Sequence, residues 1–532
     1  MSTETEPQHS ATRESRGRFG DVVRSEWTKF RTVRGWVIGA VVAVLFTVLF
    51  TFLVSNGSHS GICTGESPST GTCRPGHPFV PTGPNGAAVA DTYYFVDQPL
   101  TGDGTLTVRV TSLTGKVSTG ASNQAGSVAQ SRPGLTSWAK AGILITPNTK
   151  QGSTYAAVMV TGGHGVRFQY DYTHDSAGLP GTVSATDPRW LRLIRSGDTL
   201  TSYDSTDGTN WSEISSARLA GLPATVDVGM FVTSPASYET PNNGQSTLAT
   251  ATFDQVSIQG QGTSTVWSGE SVGAQLPSST GVVDFYPTLD PGSYHRTNDA
   301  FVISGSGDIA PAVALAGNDT ASSDLLFGLV VALIVVIVVA TMFITVEYRR
   351  GLIRTTFIAT PRRNRVLAAK AVVIGGVAFL VGALGAAIAV PLGVHILNTN
   401  GNYVFPASAL TVLGVIAGAG ALVAVTAVAV LALGTIMRSS AGAVTGGIVV
   451  FVLPYILGQF VSGSVQTWLF RLTPAASFSV LGVLPRSTLV SYPYTLANGY
   501  YPLAPWAGIA VLSVYAALAL SLAAIQLNRR DV

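Results

Sequence analysis

The chain has 532 residues, 46% of them hydrophobic and only 11% charged, with a mean hydropathy of +0.37, which excludes an ordinary soluble globular protein of this size. A net charge of +3, from 31 basic and 28 acidic side chains, is too slight to mark a nucleic-acid binder. Cys63 and Cys73 form no CxxC pair or zinc-like spacing, and Gly and Pro follow no period, so neither a structural metal site nor a collagen-like repeat is expected.

Residues 1–17 are polar and read as a disordered tail. Over residues 18–35, Phe19, Val23, Trp27, Phe30 and Val33 recur at three- and four-residue steps, while Arg24, Lys29, Arg31 and Arg34 lie largely off that stripe. An amphipathic helix in a membrane interface satisfies both sets. A basic tail that only sets topology accounts for them equally well. Trp36–Val54 is the first apolar run able to cross roughly 30 Å of hydrocarbon. Its thirteen Val, Ile, Leu and Phe residues, at roughly −0.4 kcal/mol each, favour insertion by about 5 kcal/mol. The long basic lead, the long apolar core and the lack of an A-x-A site make it a signal anchor.

Residues 55–323 are Gly/Ser/Thr-rich and read as one extracellular, β-rich region. Cys63 and Cys73 sit just beyond the first span, where an oxidising environment permits a disulfide contributing about 2–3 kcal/mol. Alternating runs predict strands at Thr105–Val110, Ala141–Thr146, Tyr155–Val160, Val166–Tyr172, Trp190–Arg195, Thr199–Tyr203, Val226–Thr233 and Ala249–Ile258. Many short strands separated by turns predict an all-β sandwich at about 88–260. The stretch from Trp267 to Ala316 is less regular and is expected to pack back on it. The runs WAKAGILI at Trp138–Ile145, PRWLRLIRSGDTLTSYDSTDGTNW at Pro188–Trp211, VDVGMFVTS and ATFDQVSI resemble concanavalin A-like (LamG-like) jelly-roll domains over Asp91–Ile258. That resemblance implies a module that binds glycans or serves only for adhesion or spacing. Trp138, Trp190, Tyr203 and Trp211 are candidates for a sugar-stacking platform, or equally core and hairpin packing. Asp204 and Asp207 suit a calcium or carboxylate site, or plain turn chemistry.

Five further apolar runs follow within 325–532, near Leu325–Thr345, Ala371–Val394, Leu410–Met437, Gly442–Phe460 and Trp506–Leu527. The fold class is therefore an α-helical polytopic membrane protein of six transmembrane helices with an inserted β-sandwich. Basic residues cluster before the first span, at Arg349–Lys370 between the second and third, at Arg438, and at Arg529 and Arg530. With six spans all of these share one side, which the positive-inside rule makes cytoplasmic, together with both termini. The short loops on the opposite side carry little positive charge beyond Arg471 and Arg486. No span holds Asp, Glu, Lys or Arg, which argues against ion coupling or a charge-lined channel. Gly414 with Gly418, and Gly442 with Gly446, are small-xxx-small pairs; Pro454 is expected to kink its span, and 461–505 to re-enter in part. A P-loop is missing: at the nearest approach, Gly115-Lys116, Val110 and Val117 stand where Gly and Ser or Thr are needed.

RSEWTKFRTVRGW at Arg24–Trp36, the loop VEYRRGLIRTTFIATPRRNRVLAAK at Val346–Lys370 and the terminal Arg529-Arg530 resemble the permease subunits of ATP-binding cassette (ABC) transporters of the type-two exporter class, in actinobacterial-like form. The resemblance covers 18–54 and 325–532. It implies no catalytic residue here, ATP and Mg held by a separate ATPase subunit, contact with membrane lipid, and pairing with a like or second permease. It also implies an interfacial helix including Trp27, Phe30 and Arg31, and a coupling helix near Glu347–Arg363 that meets the ATPase through Glu347, Arg350, Arg354, Thr355, Pro361 and Arg362. The family usually has a short external loop where this chain carries the sandwich. A membrane-anchored glycan-binding or sensing protein without transport, and an anchored glycosidase using two carboxylates, are the competing readings.

Overall fold

The computed structural model describes residues 18–58, 81–119, 131–240, 243–264, 266–273, 292–297, 299–312, 325–359, 362–400 and 402–529, the last with gaps at 403, 462, 484–485, 492–493, 495 and 497–498. The expected disulfide at Cys63 and Cys73, and Pro361, lie outside them.

Helix α1 (Phe19–Thr32) starts with Asp21 accepting the Arg18 backbone N–H at 3.0 Å and turns at Val33 into α2 (Arg34–Gly57). The sandwich follows. The helical part then comprises α3 (Gly328–Arg349), the short α4 (Leu352–Ala359), α5 (Arg363–Thr399), α6 (Ala409–Met437), α7 (Ser440–Phe451), α8 (Leu453–Gly458), α9 (Gly463–Leu472), a 3-10 turn at Pro474–Leu481 and α10 (Pro505–Arg529). Among the described residues six helices are long and apolar enough to cross a membrane: α2, α3, α5, α6, α7 with α8, and α10. They fall on the six predicted runs. The third is longer than expected, because Arg363, Arg365 and Lys370 continue the helix beyond its apolar stretch. The fifth breaks at Val452, where Pro454, lacking an N–H, opens α8.

Helices α3 and α6 form the centre, and α2 and α10 lie outermost. Of the two small-residue pairs, Gly418 makes the close approach: a Cβ there would lie 2.0 Å from Val480. Its partner is the buried turn at Pro474–Leu481, seated between α6 and α10, where Gly508 meets the Ala476 carbonyl. The segment expected to re-enter thus packs within the bundle.

Among the described residues fourteen strands form one antiparallel sheet curled into a sandwich. Tyr93–Ser118 is its spine, pairing with Thr225–Thr233, Arg189–Ser196, Thr247–Gln261 and Ser268–Val272. Alternate apolar residues from both halves, including Leu106, Val108, Leu191, Ile143, Val158 and Met230, meet inside. All eight predicted strands are present. The sheet extends past 260, however: Ser293–Thr297 and Ala300–Gly305 join it, and Ile309–Pro311 pairs with Val89–Asp91 to make a neck. Entry and exit of the domain therefore lie side by side. Lys140 crosses beneath this neck, fully buried, to Asp308 at 2.7 Å.

The neck abuts the bundle. Ala310 packs with Val490 and Tyr500, and Ser137 Oγ lies 3.1 Å from Ser491 Oγ. At the same end Asn400 and Asn402 of the segment after α5 donate to carbonyls at Ser55 and Ser58, closing α2 against α5. The other end carries α1, α4 and the C-terminus of α10, whose Leu527 carbonyl accepts from Arg363 at 2.7 Å.

Candidate functional site

The end of the bundle remote from the sandwich holds a compact set of buried charges. Glu26 is on α1, Glu347 ends α3, and Lys370 lies two turns into α5. Lys370 Nζ donates to Glu26 Oε2 at 2.6 Å and to Glu347 Oε1 at 2.7 Å. Lys29 Nζ reaches Glu26 Oε1 at 2.6 Å and Glu347 Oε1 at 3.1 Å. Lys370 is wholly buried and also sits 4.6 Å from the centre of the Phe343 ring. Burial alone would lower the Lys29 ammonium, but its bond to Glu26 and the field of Glu347 outweigh it and raise the pKa above the ordinary lysine value.

Local sequence explains how α1 comes to lie here. Val23, Glu26 and Phe30 occupy one helical face at steps of three and four, and that face is turned inward. Phe30 is buried against Phe343, with ring centres 5.8 Å apart. Trp27 and Arg31 of the predicted interfacial set are exposed, as are Phe19 and Val33. The predicted apolar stripe therefore divides. Phe30 faces the bundle, and Trp27 faces outward.

Between Glu347 and Lys370 runs the loop that carries α4. The expected single element over Glu347–Arg363 is three pieces here. Glu347 belongs to α3, Gly351 at φ +69° breaks the helix, and Arg363 begins α5. This division follows from glycine's access to positive φ. Of the expected contact residues, Arg350, Thr355 and Arg362 are exposed, Arg354 lies on α4, and Glu347 is buried. Ile353 anchors α4 inward, while Leu352, Thr355 and Ile358 project, Ile358 being 82% exposed. Glu347 Oε2 is buried and has no hydrogen-bond partner among the described residues.

Glu26 and Lys370 were not singled out by sequence reasoning. A signal was available: Glu26 is three residues after Val23 and four before Phe30, so a charge interrupts an apolar face. A carboxylate in that position requires a buried cation.

Of the sandwich aromatics Trp138 is buried, whereas Trp190, Tyr203 and Trp211 are half-buried. Trp138 is 4% exposed and stacks on His164 with centres 4.1 Å apart. Gly208, at φ +74°, lies against the Trp190 ring, and Arg109 approaches within 5.6 Å. Arg192 covers Trp211 at 3.8 Å, and Tyr203 reaches Glu213 at 3.4 Å. Trp211 Nε1 donates to the Gly208 carbonyl. These contacts secure the hairpin; of the four expected platform residues Trp138 is buried, while Trp190, Tyr203 and Trp211 keep partial exposure. Asp204 is buried and accepts the Leu179 N–H at 2.6 Å. Asp207 accepts from Thr209 and Asn210 N–H groups at 2.8 Å, which hold its carboxyl below the usual range. Both do turn and packing work, and no cluster of three metal-ligating side chains occurs among the described residues.

No protein-family model matches this chain, and no curated protein matches it. Among solved structures, scytalido-glutamic peptidase with a transition state analog inhibitor aligns over 40% of this chain and 98% of its own, at 9% identity and a TM-score of 0.25. A functionally unknown protein from Saccharomyces cerevisiae aligns over 39% of this chain and 97% of its own, at 16% identity and a TM-score of 0.20. At these TM-scores neither likeness bears on fold or activity.

Proposed function

We propose that the chain is the membrane-spanning permease subunit of an ABC transporter, driven by a separate ATPase that holds ATP and Mg. In this reading the six long helices cross the plasma membrane, the termini and α4 are cytoplasmic, and the sandwich stands outside to capture or sense substrate. One observation carries the reading: the charge cluster joins α1 to both ends of the loop that presents α4. A push on the exposed Leu352–Thr355–Ile358 edge then reaches α3 and α5 together, because Glu347 and Lys370 bracket the loop and bind each other. The unpartnered Glu347 Oε2 supplies an acceptor for a second arrangement of the same charges. Two discrete arrangements are what transmission through a packed bundle requires. The exposed apolar surface of α2, α5 and α10, including Ile38, Leu45, Leu380, Leu384, Leu518 and Leu522, suits lipid.

No charged side chain occurs within the predicted spans, so the pathway favours apolar, lipid-like or peptide cargo. The glycan-binding alternative rests on Trp190, Tyr203 and Trp211, which are half-buried and engaged by neighbours, since Trp138 is buried. The test is co-purification of this chain from its native membrane with an ABC ATPase, followed by reconstitution of the two together. The complex is expected to hydrolyse ATP faster than the ATPase alone, and Ile358→Asp is expected to lower that stimulation severalfold. A purified chain that neither binds nor stimulates the ATPase would sink the reading.

A further inference from the structure

We propose that Arg471 and Arg486 form a binding site for a phosphate-bearing anion at the sandwich-side end of the bundle. Both line one cavity of about 210 Å³, together with Gln466, Thr467, Tyr494 and Tyr500. Arg471 is in the last turn of α9, and Arg486 is in the loop leading toward the neck contact at Val490 and Ser491. Neither has a carboxylate within ion-pair distance, and neither guanidinium donates a hydrogen bond, among the described residues.

Each guanidinium, on an exposed side chain, instead lies within cation–π reach of a ring: Arg471 is 6.0 Å from the Trp468 centre, and Arg486 is 5.3 Å from that of Tyr494. The Tyr494 ring is fixed in turn, since its hydroxyl accepts the Ser487 N–H at 3.0 Å and donates to the Ser487 carbonyl. A cation–π contact engages the guanidinium charge and leaves its N–H donors for an anion. Two such guanidinium groups lining one cavity match the several oxygens of a phosphate better than a single carboxylate. The cavity is smaller than the about 300–1,000 Å³ typical of drug-sized ligands, which suits a headgroup-sized anion.

The cost of these arginines points the same way. On the proposed topology, on which this step rests only for depth, they are the basic residues of the short external loops between spans, where the positive-inside bias leaves few. Trp468 and Trp506, 57% and 55% exposed, flank the same end as an interfacial aromatic pair. A phospholipid headgroup and a soluble phosphate compound share this chemistry.

The experiment uses the full chain, purified and delipidated in detergent, with phosphatidylglycerol and inorganic phosphate as separate probes. Lipid retention is read by native mass spectrometry, and phosphate binding by calorimetry. Wild type is expected to bind at least one probe, and Arg471→Gln with Arg486→Gln to weaken it tenfold or more. Retention of lipid alone assigns the site to a headgroup, whereas binding of inorganic phosphate assigns it to a soluble anion. The charge-keeping pair Arg471→Lys with Arg486→Lys is expected to weaken the same probe severalfold, because the fork is lost. Equal binding by wild type and the Gln pair, or no binding of either probe by wild type, overturns the site. Labelling of Thr488→Cys, in a chain with Cys63 and Cys73 replaced by Ala, separately tests the topology. Reaction only from the cytoplasmic side would remove the permease topology without touching the binding result.

Discussion

Replacing Lys370 with Met takes one cation from a set of two carboxylates and two ammonium groups that is otherwise neutral. The remaining carboxylates, at 1% and 9% side-chain exposure, would then face only Lys29, itself 39% exposed. Truncating one member of a buried ion pair costs about 3–5 kcal/mol, because the charge left behind cannot recover its hydration. Lys29 offsets little of this, since contacts of a partly exposed ion are worth about 0–1 kcal/mol. Loss of the ammonium over Phe343 adds to the same side. Lys370→Met is therefore expected to lower stability by about 3–5 kcal/mol in reversible unfolding by SDS in mixed micelles. Adding Glu26→Gln and Glu347→Gln removes the stranded charges, so the triple variant is expected to be more stable than the single one. A single-variant cost under about 1 kcal/mol, or a triple variant whose losses simply add, would refute a coupled network.

Three further outcomes are expected. Burial pushes the Asp91 carboxyl up to about 7, against hydrogen bonds from the Tyr172 hydroxyl and the Gly152 N–H. Between 3.8 and about 7 the folded state keeps a proton that the unfolded chain has released, so sandwich stability falls as pH rises through that window, by about 4 kcal/mol in all. Thermal unfolding of the full chain from pH 5 to 8, followed by the β-sheet signal, should show this slope, and Asp91→Asn should flatten it. Asp308→Asn strands the buried Lys140 and is expected to lower the sandwich melting temperature by several degrees, whereas no change would deny the pair a role in the neck. Gly508→Leu places a side chain where the Ala476 carbonyl already lies, and an overpacking cost of about 1–3 kcal/mol is expected in the SDS assay.

The long helices and the main strands were legible because both follow from periodicity and length. Apolar runs near twenty residues have few alternatives, and Trp190–Arg195 with Thr199–Tyr203 carries its alternation and its Gly197-Asp198 turn within fourteen residues. The later strands were hidden for the converse reason. Ser268–Val272 and Ser293–Thr297 are polar and short, and acquire strand geometry from partners already in place. The charge cluster was harder still. Lys370 reads as one more topogenic cation, and its bond to Glu26 joins positions 344 residues apart, which no spacing rule encodes. The aromatic residues stand out in the sequence but their surroundings do not, since Gly208 and Arg192 approach them from outside their own strands.

The neck formed by Val89–Asp91 and Ile309–Pro311 has a consequence for the ancestry of the chain. Below it Thr51 of α2 bonds the Leu325 carbonyl that leads into α3, so the helices being joined are already neighbours. A domain mounted on adjacent ends can be gained, lost or exchanged without rethreading any helix. Selection can therefore reshape the sandwich while leaving the helical bundle beside it untouched.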